Sequence, residues 1–235
     1  MVMSDPIAAE SVVSWERATA GAVAESKTAD VDRIPLATRA VEVVVASVVL
    51  ALTAPIMLVV GWIIRRGTPG PAVFRQTRVG RDGRPFTFYK FRTLYHDARE
   101  RFPELYLYEY SQEELRTLKF KIVDDPRVTP EGKWLRKSTL DELPNFWNVL
   151  KGDMALVGPR PDIPEMLRYY KGDMIRKFDV RPGVTGLAQV SGRGRLSFYD
   201  TVKCDVEYVE NRSFRYDMKI IWLTIRKILA RDGAF

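Results

Sequence analysis

The sequence predicts a mainly helical protein with a minor β component, anchored to a membrane by one apolar helix. Three observations support this prediction. The run from Val43 to Ile64 contains no charged residue, two short segments alternate between apolar and polar residues, and several later stretches have apolar residues at helical spacing. The chain has 235 residues, a length that suits one compact domain with appendages.

The N-terminal part differs in composition from the rest. Residues 1–33 are rich in Ala, Ser, Thr, Val and Glu and have no sustained helical or strand period. They also lack the basic start and apolar run of a secretory signal. We therefore predict a flexible tail at 1–33, a membrane helix at 34–66 and a compact domain at 67–235.

The apolar run has a proline at its centre. Pro55 has no amide to donate to the Ala51 carbonyl, so a helix through this run has to bend or break there. Cations flank both ends, and the positive-inside tendency would place both ends on the cytoplasmic face. These features favour a re-entrant segment, while a kinked spanning helix and a buried core helix remain alternatives. The flanking cations are Arg33, Arg39, Arg65 and Arg66.

Beyond the membrane segment the pattern predicts a hairpin followed by helices. Val73–Gln76 and Pro85–Phe91 have the alternation of strands, and the turn Gly80–Arg84 joins them. The last predicted helix combines large apolar residues with cations, so it could lie on a membrane surface or pack on the domain. The predicted helices are Leu94–Lys119, Pro164–Phe178, Leu196–Asn211 and Phe214–Ala230.

Composition limits the function classes. A single cysteine, Cys204, excludes an internal disulfide, and with His96 as the only histidine a zinc site is implausible. The formal net charge is +7, and the tail is acidic, so the rest of the chain is more basic still. This charge favours anionic partners. The cations are dispersed among glycine and proline turns and form no basic stripe, which argues against nucleic acid.

The most informative stretch is Ser138–Pro161. It places two adjacent acids, Asp141 and Glu142, among cations that could hold phosphate: Arg136, Lys137, Lys151 and Arg160. An acid in such surroundings can attack phosphorus or carry a divalent metal. Because Pro144 is tolerated only in the first turn of a helix, we expect Asp141 to be the N-cap of a helix through Leu150, with its carboxylate held ionised. The alternative is that Asp141 only caps that helix and Glu142 is a solvated acid in its first turn.

This stretch and three other blocks resemble the bacterial sugar transferases, which are monotopic polyprenyl-phosphate phosphoglycosyl transferases. The resemblance covers most of the chain from about Arg39 onward. It implies a re-entrant, proline-broken helix in one leaflet of the bacterial inner membrane and a compact catalytic domain on the cytoplasmic face. The family has Ser-Pro at the break, whereas this chain has Ala54-Pro55, which leaves Thr53 as the nearest hydroxyl. The other blocks are Gly70–Leu94, Asp124–Arg136 and Val180–Arg193.

The resemblance also implies a reaction. A sugar 1-phosphate would pass from a UDP-sugar to polyprenyl (undecaprenyl) phosphate with release of UMP, as the first step of exopolysaccharide or glycoconjugate assembly. Asp141 would form an aspartyl-phosphosugar intermediate, and Glu142 would hold Mg²⁺ or activate the lipid phosphate. Both acids are the candidate metal ligands. The candidate substrate-binding residues are Lys90, Arg92, Arg136, Arg160 and Arg193.

Two other interpretations of the same residues stay open. In the first, Asp141 and Glu142 only bind Mg²⁺ and the two substrates react directly. In the second, the chain is a basic membrane scaffold without enzymatic activity. The turn Arg181–Gly186 has two interpretations as well, because its backbone amides could hold an anion or simply form a structural turn.

Overall fold

The computed structural model describes residues 35–119, 122–192 and 194–230. The predicted tail at 1–33 and the candidate residue Arg193 lie outside the described residues. In the described part, helices predominate and the strands form a pair of two-stranded sheets. The predicted class, α with minor β, is confirmed at this level.

The first helix, α1, runs from Leu36 to Gly67 with Pro55 inside it. Among the described helices it is the one whose length and composition would allow it to cross a membrane. Helical structure continues through Pro55, so the predicted division into two separate helical halves is not seen. The Thr53 hydroxyl donates to the Val49 carbonyl at 2.6 Å, and it therefore does not take the Ala51 carbonyl that Pro55 leaves without a donor.

The N-terminal half of α1 is fixed to the body of the protein. Arg39 donates to the Val149 and Leu150 carbonyls at 2.6 and 2.7 Å, at the end of a body helix. Glu42, 5% exposed, accepts two hydrogen bonds from Arg181 at 2.9 and 2.8 Å. These polar contacts tie the start of α1 to two separate segments of the body.

The C-terminal half of α1 packs against the same body through apolar contacts. Val60 and Ile64 are fully buried in a cluster with Phe91 and Leu135. Residues on the remaining surface of α1 are exposed and apolar, including Leu52, Leu58 and Trp62 at 75%, 76% and 59% exposure. One face of the helix therefore belongs to the protein core, and the others present an apolar surface.

The predicted hairpin is confirmed. Strand β1 (Val73–Val79) pairs antiparallel with β2 (Pro85–Phe91), and the register places Phe74 opposite Lys90. β1 extends beyond the predicted end at Gln76. A short 3-10 turn, Arg81–Gly83, connects the strands.

The predicted helix Leu94–Lys119 is present only in pieces. The structure has α2 (Ala98–Arg101), a 3-10 helix Pro103–Tyr106 and α3 (Gln112–Thr117). Pro103 explains the first interruption, because the residue before a proline is driven away from helical angles, and Phe102 has φ −136° and ψ 59°. A left-handed Tyr108, with φ 52°, marks the second.

Two helices flank the candidate acids. Helix α4 spans Pro130–Ser138 and α5 spans Asn145–Lys151. A single 3-10 turn, Leu140–Glu142, lies between them. Thr129 caps the start of α4 by accepting from the Gly132 amide at 3.0 Å, and Pro130 follows as its first residue.

A second, parallel sheet was not predicted. It consists of β3 (Ala155–Val157) and β4 (Gly183–Thr185), which are too short to show a strand period in sequence. Between them lie two 3-10 helices, Pro164–Tyr169 and Gly172–Asp179, where one α-helix was predicted. Tyr170 and Lys171, both with extended backbones, separate the two.

The last two helices agree with prediction, since α7 spans Phe198–Asn211 and α8 spans Phe214–Leu229. The short helix α6, Leu187–Gly192, which precedes them, was not predicted. The α8 helix packs on the domain, and its contact with a membrane stays a prediction. Ile220 is buried in an apolar cluster, while the outer face carries exposed apolar side chains at Trp222, Ile225, Ile228 and Leu229.

Candidate active site

Asp141 lies at the angle between α4 and α5. Thr139 ends α4 with a left-handed backbone, φ 63° and ψ 9°, which is unfavourable for a β-branched residue and costs on the order of 1–3 kcal/mol. The turn that follows holds Asp141 at 8% exposure. Strain of this kind is concentrated at functional sites.

Asp141 is not the N-cap of α5, so that expectation was wrong. Pro144 occupies the N-cap position, and no side chain caps the helix. The left-handed Thr139 starts a separate 3-10 turn instead of leading directly into α5. Asp141 therefore owes its position to the junction between two helices rather than to one helix terminus.

The surroundings of Asp141 raise the pKa of its carboxyl to about 6. Burial is the main cause, and the negative charge of Glu142 adds to it, while Lys90, Arg160 and Arg136 act in the opposite direction. The sequence predicts instead that the helix dipole and the neighbouring cations dominate and keep the carboxylate ionised. Burial outweighs them, yet a pKa of about 6 still leaves most of this group ionised at neutral pH.

Arg160 reaches the acid pair from the loop after β3. Its Nη1 donates to Glu142 Oε1 at 2.8 Å, and the two side chains are 44% and 21% exposed. The Glu142 charge is the main reason why the pKa of Arg160 is raised. This ion pair holds a guanidinium next to Asp141 at a point open to solvent, where a phosphate could meet it.

Lys90 and Arg136 complete the positive surroundings of Asp141. Burial lowers the pKa of Lys90 to about 8, although Asp141 raises it. Arg136 donates from Nε to the Thr93 hydroxyl at 3.1 Å. The missing side chain of Gly132 permits this close approach of α4 to Thr93, because a Cβ there would lie 2.2 Å from the Thr93 carbonyl oxygen. The structure thus brings together Lys90, Arg136 and Arg160, all three of which the sequence nominated.

Other nominated cations are placed elsewhere. Arg92 is 3% exposed, and its guanidinium donates to the Pro71 and Thr68 carbonyls at 2.8 and 2.9 Å. These bonds direct it to the end of α1 and away from the acids. Lys151 pairs with Asp153 at 2.9 Å. The substrate-binding roles of Arg92 and Arg193 stay predictions.

Arg78 is a cation of the site that sequence reasoning missed. It lies near the end of β1, where its Nη1 donates to the Pro161 carbonyl at 3.1 Å. Burial first, and then Arg160, lowers its pKa to about 10, and it also acts on the pKa of Lys90. The observed register of the hairpin places the side chains of Arg78 and Lys90 on the same face. The prediction missed Arg78 because it ended the first strand at Gln76.

The turn Arg181–Gly186 supports the Arg160 loop. The Gly183 amide donates to the Pro159 carbonyl, and the Gly158 amide donates to the Thr185 carbonyl, both at 2.9 Å. Gly158 and Gly183 approach so closely that a Cβ on Gly183 would lie 2.1 Å from the Gly158 nitrogen. These amides serve the parallel sheet, which favours the structural interpretation of this turn.

The donor set suits Mg²⁺ of the kind that shares its coordination with phosphates. Mg²⁺ commonly takes one or two protein carboxylates and completes its octahedron with water and substrate phosphate oxygens. Asp141 and Glu142 offer two adjacent carboxylates beside cations. Within the described ranges, no cluster of three or more His, Cys, Asp or Glu side chains forms a cage for a metal. The pair therefore fits a metal that arrives with its substrate.

Comparison with known proteins defines the class. The family model described as "Bacterial sugar transferase" matches residues 34–231, so the chain belongs to this family of enzymes. Its matched segment contains every described element above, including the acid pair and the cations around it.

Three relatives show what proteins of similar sequence are named for. The chain is similar to the galactosyl transferase CpsE of Streptococcus agalactiae serotype III, at 46% identity over 70% of this chain and 36% of the relative. It is 38% identical to the undecaprenyl-phosphate galactose phosphotransferase of Salmonella typhimurium, over 84% of this chain and 41% of the relative. It is 37% identical to the UDP-glucose:undecaprenyl-phosphate glucose-1-phosphate transferase of Caulobacter vibrioides, over 86% and 73%. The chain thus spans less than half the length of the first two.

Proposed function

We propose that this protein transfers a sugar 1-phosphate from a UDP-sugar to undecaprenyl phosphate and releases UMP. The observation that carries the proposal is the placement of Asp141, a buried carboxylate, among the cations Lys90, Arg136 and Arg160. Two relatives are named for transfer to undecaprenyl phosphate, and one of these names UDP-glucose as donor. The product would begin the assembly of an exopolysaccharide or another glycoconjugate.

The chemistry proceeds in two displacements. An Asp141 oxygen attacks the β-phosphorus of the donor, the bond from that phosphorus to the bridging oxygen breaks, and UMP leaves with the electron pair. This forms an aspartyl-phosphosugar. An oxygen of the lipid phosphate then attacks the same phosphorus, and the Asp141 carboxylate leaves. Lys90, Arg136 and Arg160 offset the charge that develops on the phosphoryl oxygens.

Mg²⁺ belongs to the proposal as a cofactor that Asp141 and Glu142 would hold. Its chemistry in such a site is to neutralise the charge of the diphosphate. The role of this chain is to keep the acids in place. The Thr139 turn fixes the backbone of both, and Arg160 restrains Glu142 by the 2.8 Å hydrogen bond.

We also propose that α1 enters the inner membrane from the cytoplasmic side only and bends at Pro55 within one leaflet. As a straight helix it would be about 48 Å long, well beyond a hydrocarbon core of roughly 30 Å. Both halves of α1 contact the same body, through Arg39 and Glu42 at one end and Val60 and Ile64 at the other. A helix crossing the bilayer would separate these ends. Exposed apolar residues on α1 and α8 would face lipid.

An assay of UMP release tests the reaction. Purified protein in lipid nanodiscs is incubated with Mg²⁺ and single UDP-sugars, with and without undecaprenyl phosphate. We expect one or a few donors to give UMP and a lipid-linked diphosphosugar. Absence of UMP release with every donor would refute the proposed function, including its alternative, transfer in a direct ternary complex.

Exchange of label separates the two mechanisms. If Asp141 forms a covalent intermediate, radiolabelled UMP exchanges into UDP-sugar without any lipid acceptor. Failure of this exchange in a preparation that transfers sugar would favour direct transfer. A basic membrane scaffold would show neither activity, although it would still bind anionic vesicles.

A further inference from the structure

A buried charged cluster lies behind the loop that carries Arg160. At its centre is Lys177, 3% exposed, whose Nζ lies 2.5 Å from Asp162 Oδ2 and 3.0 Å from Asp205 Oδ2. Asp205 comes from α7 and is 1% exposed. The Tyr170 hydroxyl donates to the same Asp162 oxygen. These four residues, Lys177, Asp162, Asp205 and Tyr170, are called the Lys177 cluster below.

The cluster is joined to the active site through two peptide units. Asp162 is separated from Arg160 by a single residue, Pro161. While the Asp162 side chain is held by the cluster, its backbone carbonyl accepts from the Val79 amide at 2.8 Å, and the Pro161 carbonyl accepts from Arg78. The segment 160–162 is thus fixed to the interior by one side chain and to β1 by two hydrogen bonds. From this support the Arg160 side chain extends to Glu142.

A contribution to folding stability alone does not explain why these charged residues are buried. Buried ion pairs are often no more stabilising than apolar side chains of the same volume. Apolar residues surround this one, since Tyr170 packs in the same core cluster as Phe178 and Phe198. Apart from the ion pair to Lys177, neither Asp205 oxygen has a hydrogen-bond partner in the described part of the chain. Burial raises the pKa of Asp205 to about 6, which reflects the cost of keeping a carboxylate there.

We propose that Lys177 is a positioning residue for the transfer reaction. By binding Asp162 and Asp205 together, it couples the Arg160 loop to α7 and fixes the direction in which Arg160 meets Glu142 and the donor phosphate. The inference rests on the proposed function. Lys177 touches no reacting atom, so its contribution passes through Arg160. This dependence distinguishes positioning from a general contribution to folding.

A double-mutant cycle between Lys177→Met and Arg160→Ala tests the dependence. The readouts are kcat/KM for UMP release and the Kd for UMP, measured by calorimetry with all four proteins in nanodiscs. We expect Lys177→Met to lower kcat/KM by about tenfold or more when Arg160 is present and by less than about twofold when it is alanine. Equal losses in both backgrounds would overturn the inference, because they would show that Lys177 acts without Arg160.

Controls separate positioning from unfolding. Arg176 pairs with Glu210 and ties the same 3-10 segment to α7 from the outside, at 41% and 46% exposure, so Arg176→Gln is expected to leave both readouts unchanged. If Lys177→Met does not fold, Tyr170→Phe replaces it in the cycle, because this change removes one hydrogen bond to Asp162 and keeps the buried charges paired. The same non-additivity is expected with a smaller loss, and additivity again overturns the inference.

The experiment also separates failure of the inference from failure of the proposed function. A wild-type protein that releases UMP, combined with an additive cycle, overturns only the positioning role. A wild-type protein that releases no UMP from any donor overturns the proposed function. In that case the four UMP affinities still decide whether Lys177 acts through Arg160, since a guanidinium contributes to phosphate binding whether or not transfer follows.

Discussion

Arg160 Nη1 lies 2.8 Å from Glu142 Oε1, and this contact joins two segments that are 18 residues apart in the chain. It ties the loop after β3 to the turn that carries Asp141. The acid that raises the pKa of Asp141 is therefore itself paired with a cation. The contact gives the site an acid and a guanidinium in fixed relation before any substrate binds, which is the preorganisation that phosphoryl transfer requires.

Replacing the nucleophile tests its covalent role. Asp141→Asn keeps the shape of the side chain but removes the attacking charge, so we expect UMP release and label exchange to fall by at least about a thousandfold, the order seen when a covalent nucleophile is lost. The affinity for UMP should change little. Asp173→Asn, an exposed acid on the 3-10 segment Gly172–Asp179, is the matched control. Exchange that survives in Asp141→Asn would exclude Asp141 as the nucleophile.

The pH profile should be bell-shaped. Asp141 must be ionised to attack, so kcat/KM rises with pH through its pKa of about 6. Lys90 must keep its proton to bind phosphate, so kcat/KM falls through its pKa of about 8. Initial rates of UMP release between pH 5 and pH 9.5, at donor concentrations far below KM, would give both limbs.

Variants assign the two limbs. In Lys90→Arg the alkaline limb should move to higher pH, because a guanidinium keeps its proton throughout this range. In Glu142→Gln the acidic limb should move to lower pH, since the Glu142 charge raises the pKa of Asp141. Limbs that stay in place in these variants would show that other groups control the profile.

Removal of divalent metal should stop the reaction. With two adjacent carboxylates and no further acid cluster among the described residues, the metal is expected to bind weakly without substrate. Dialysis against EDTA should abolish UMP release, and millimolar Mg²⁺ should restore it fully. Calorimetry should detect Mg²⁺ more readily in the presence of UDP-sugar than in its absence. Full activity in EDTA would show that the Lys and Arg side chains of the protein support the reaction without a metal.

The buried pair of Glu42 and Arg181 should control how firmly α1 is attached. Glu42→Gln leaves the Arg181 guanidinium buried without its counter-charge, which typically costs about 3–5 kcal/mol of unfolding free energy. The double variant Glu42→Met with Arg181→Met removes both charges and should recover much of this loss. Thermal unfolding in nanodiscs measures the difference. Equal thermal stability of wild type and Glu42→Gln would show that this ion pair does not stabilise the attachment of α1.

Cysteine labelling tests the topology of α1. In a Cys204→Ser background, single cysteines replace Ala37, in the first turn of the helix, and Pro69, just beyond its last residue; both positions are exposed. A membrane-impermeant maleimide should label both from the cytoplasmic side in inverted vesicles and neither in intact spheroplasts. Asp173→Cys marks the side on which the body lies. Labelling of the two ends from opposite sides would show that α1 spans the bilayer.

Much of the fold was readable from local sequence. The hairpin Val73–Phe91 and the helices α7 and α8 follow from strand alternation and helical spacing, and both signals act between residues close in the chain. The predictions that failed concern places where several local signals compete. Leu94–Lys119 and Pro164–Phe178 look helical by composition, but Pro103 interrupts the first segment and the extended residues Tyr170 and Lys171 interrupt the second.

By itself the sequence determined the chemical inventory: an adjacent acid pair, a set of arginines and lysines, and an apolar helix with Pro55 at its centre. Tertiary structure decided which of these residues meet. It brought Arg160 within hydrogen-bonding distance of Glu142 and brought Arg78 into the site. It also directed the Arg92 guanidinium to carbonyls at the end of α1. It also decided that burial, more than neighbouring cations, sets the pKa of Asp141. The physical reason is that charge interactions and desolvation depend on distance and depth in the fold, which neighbours along the chain do not specify.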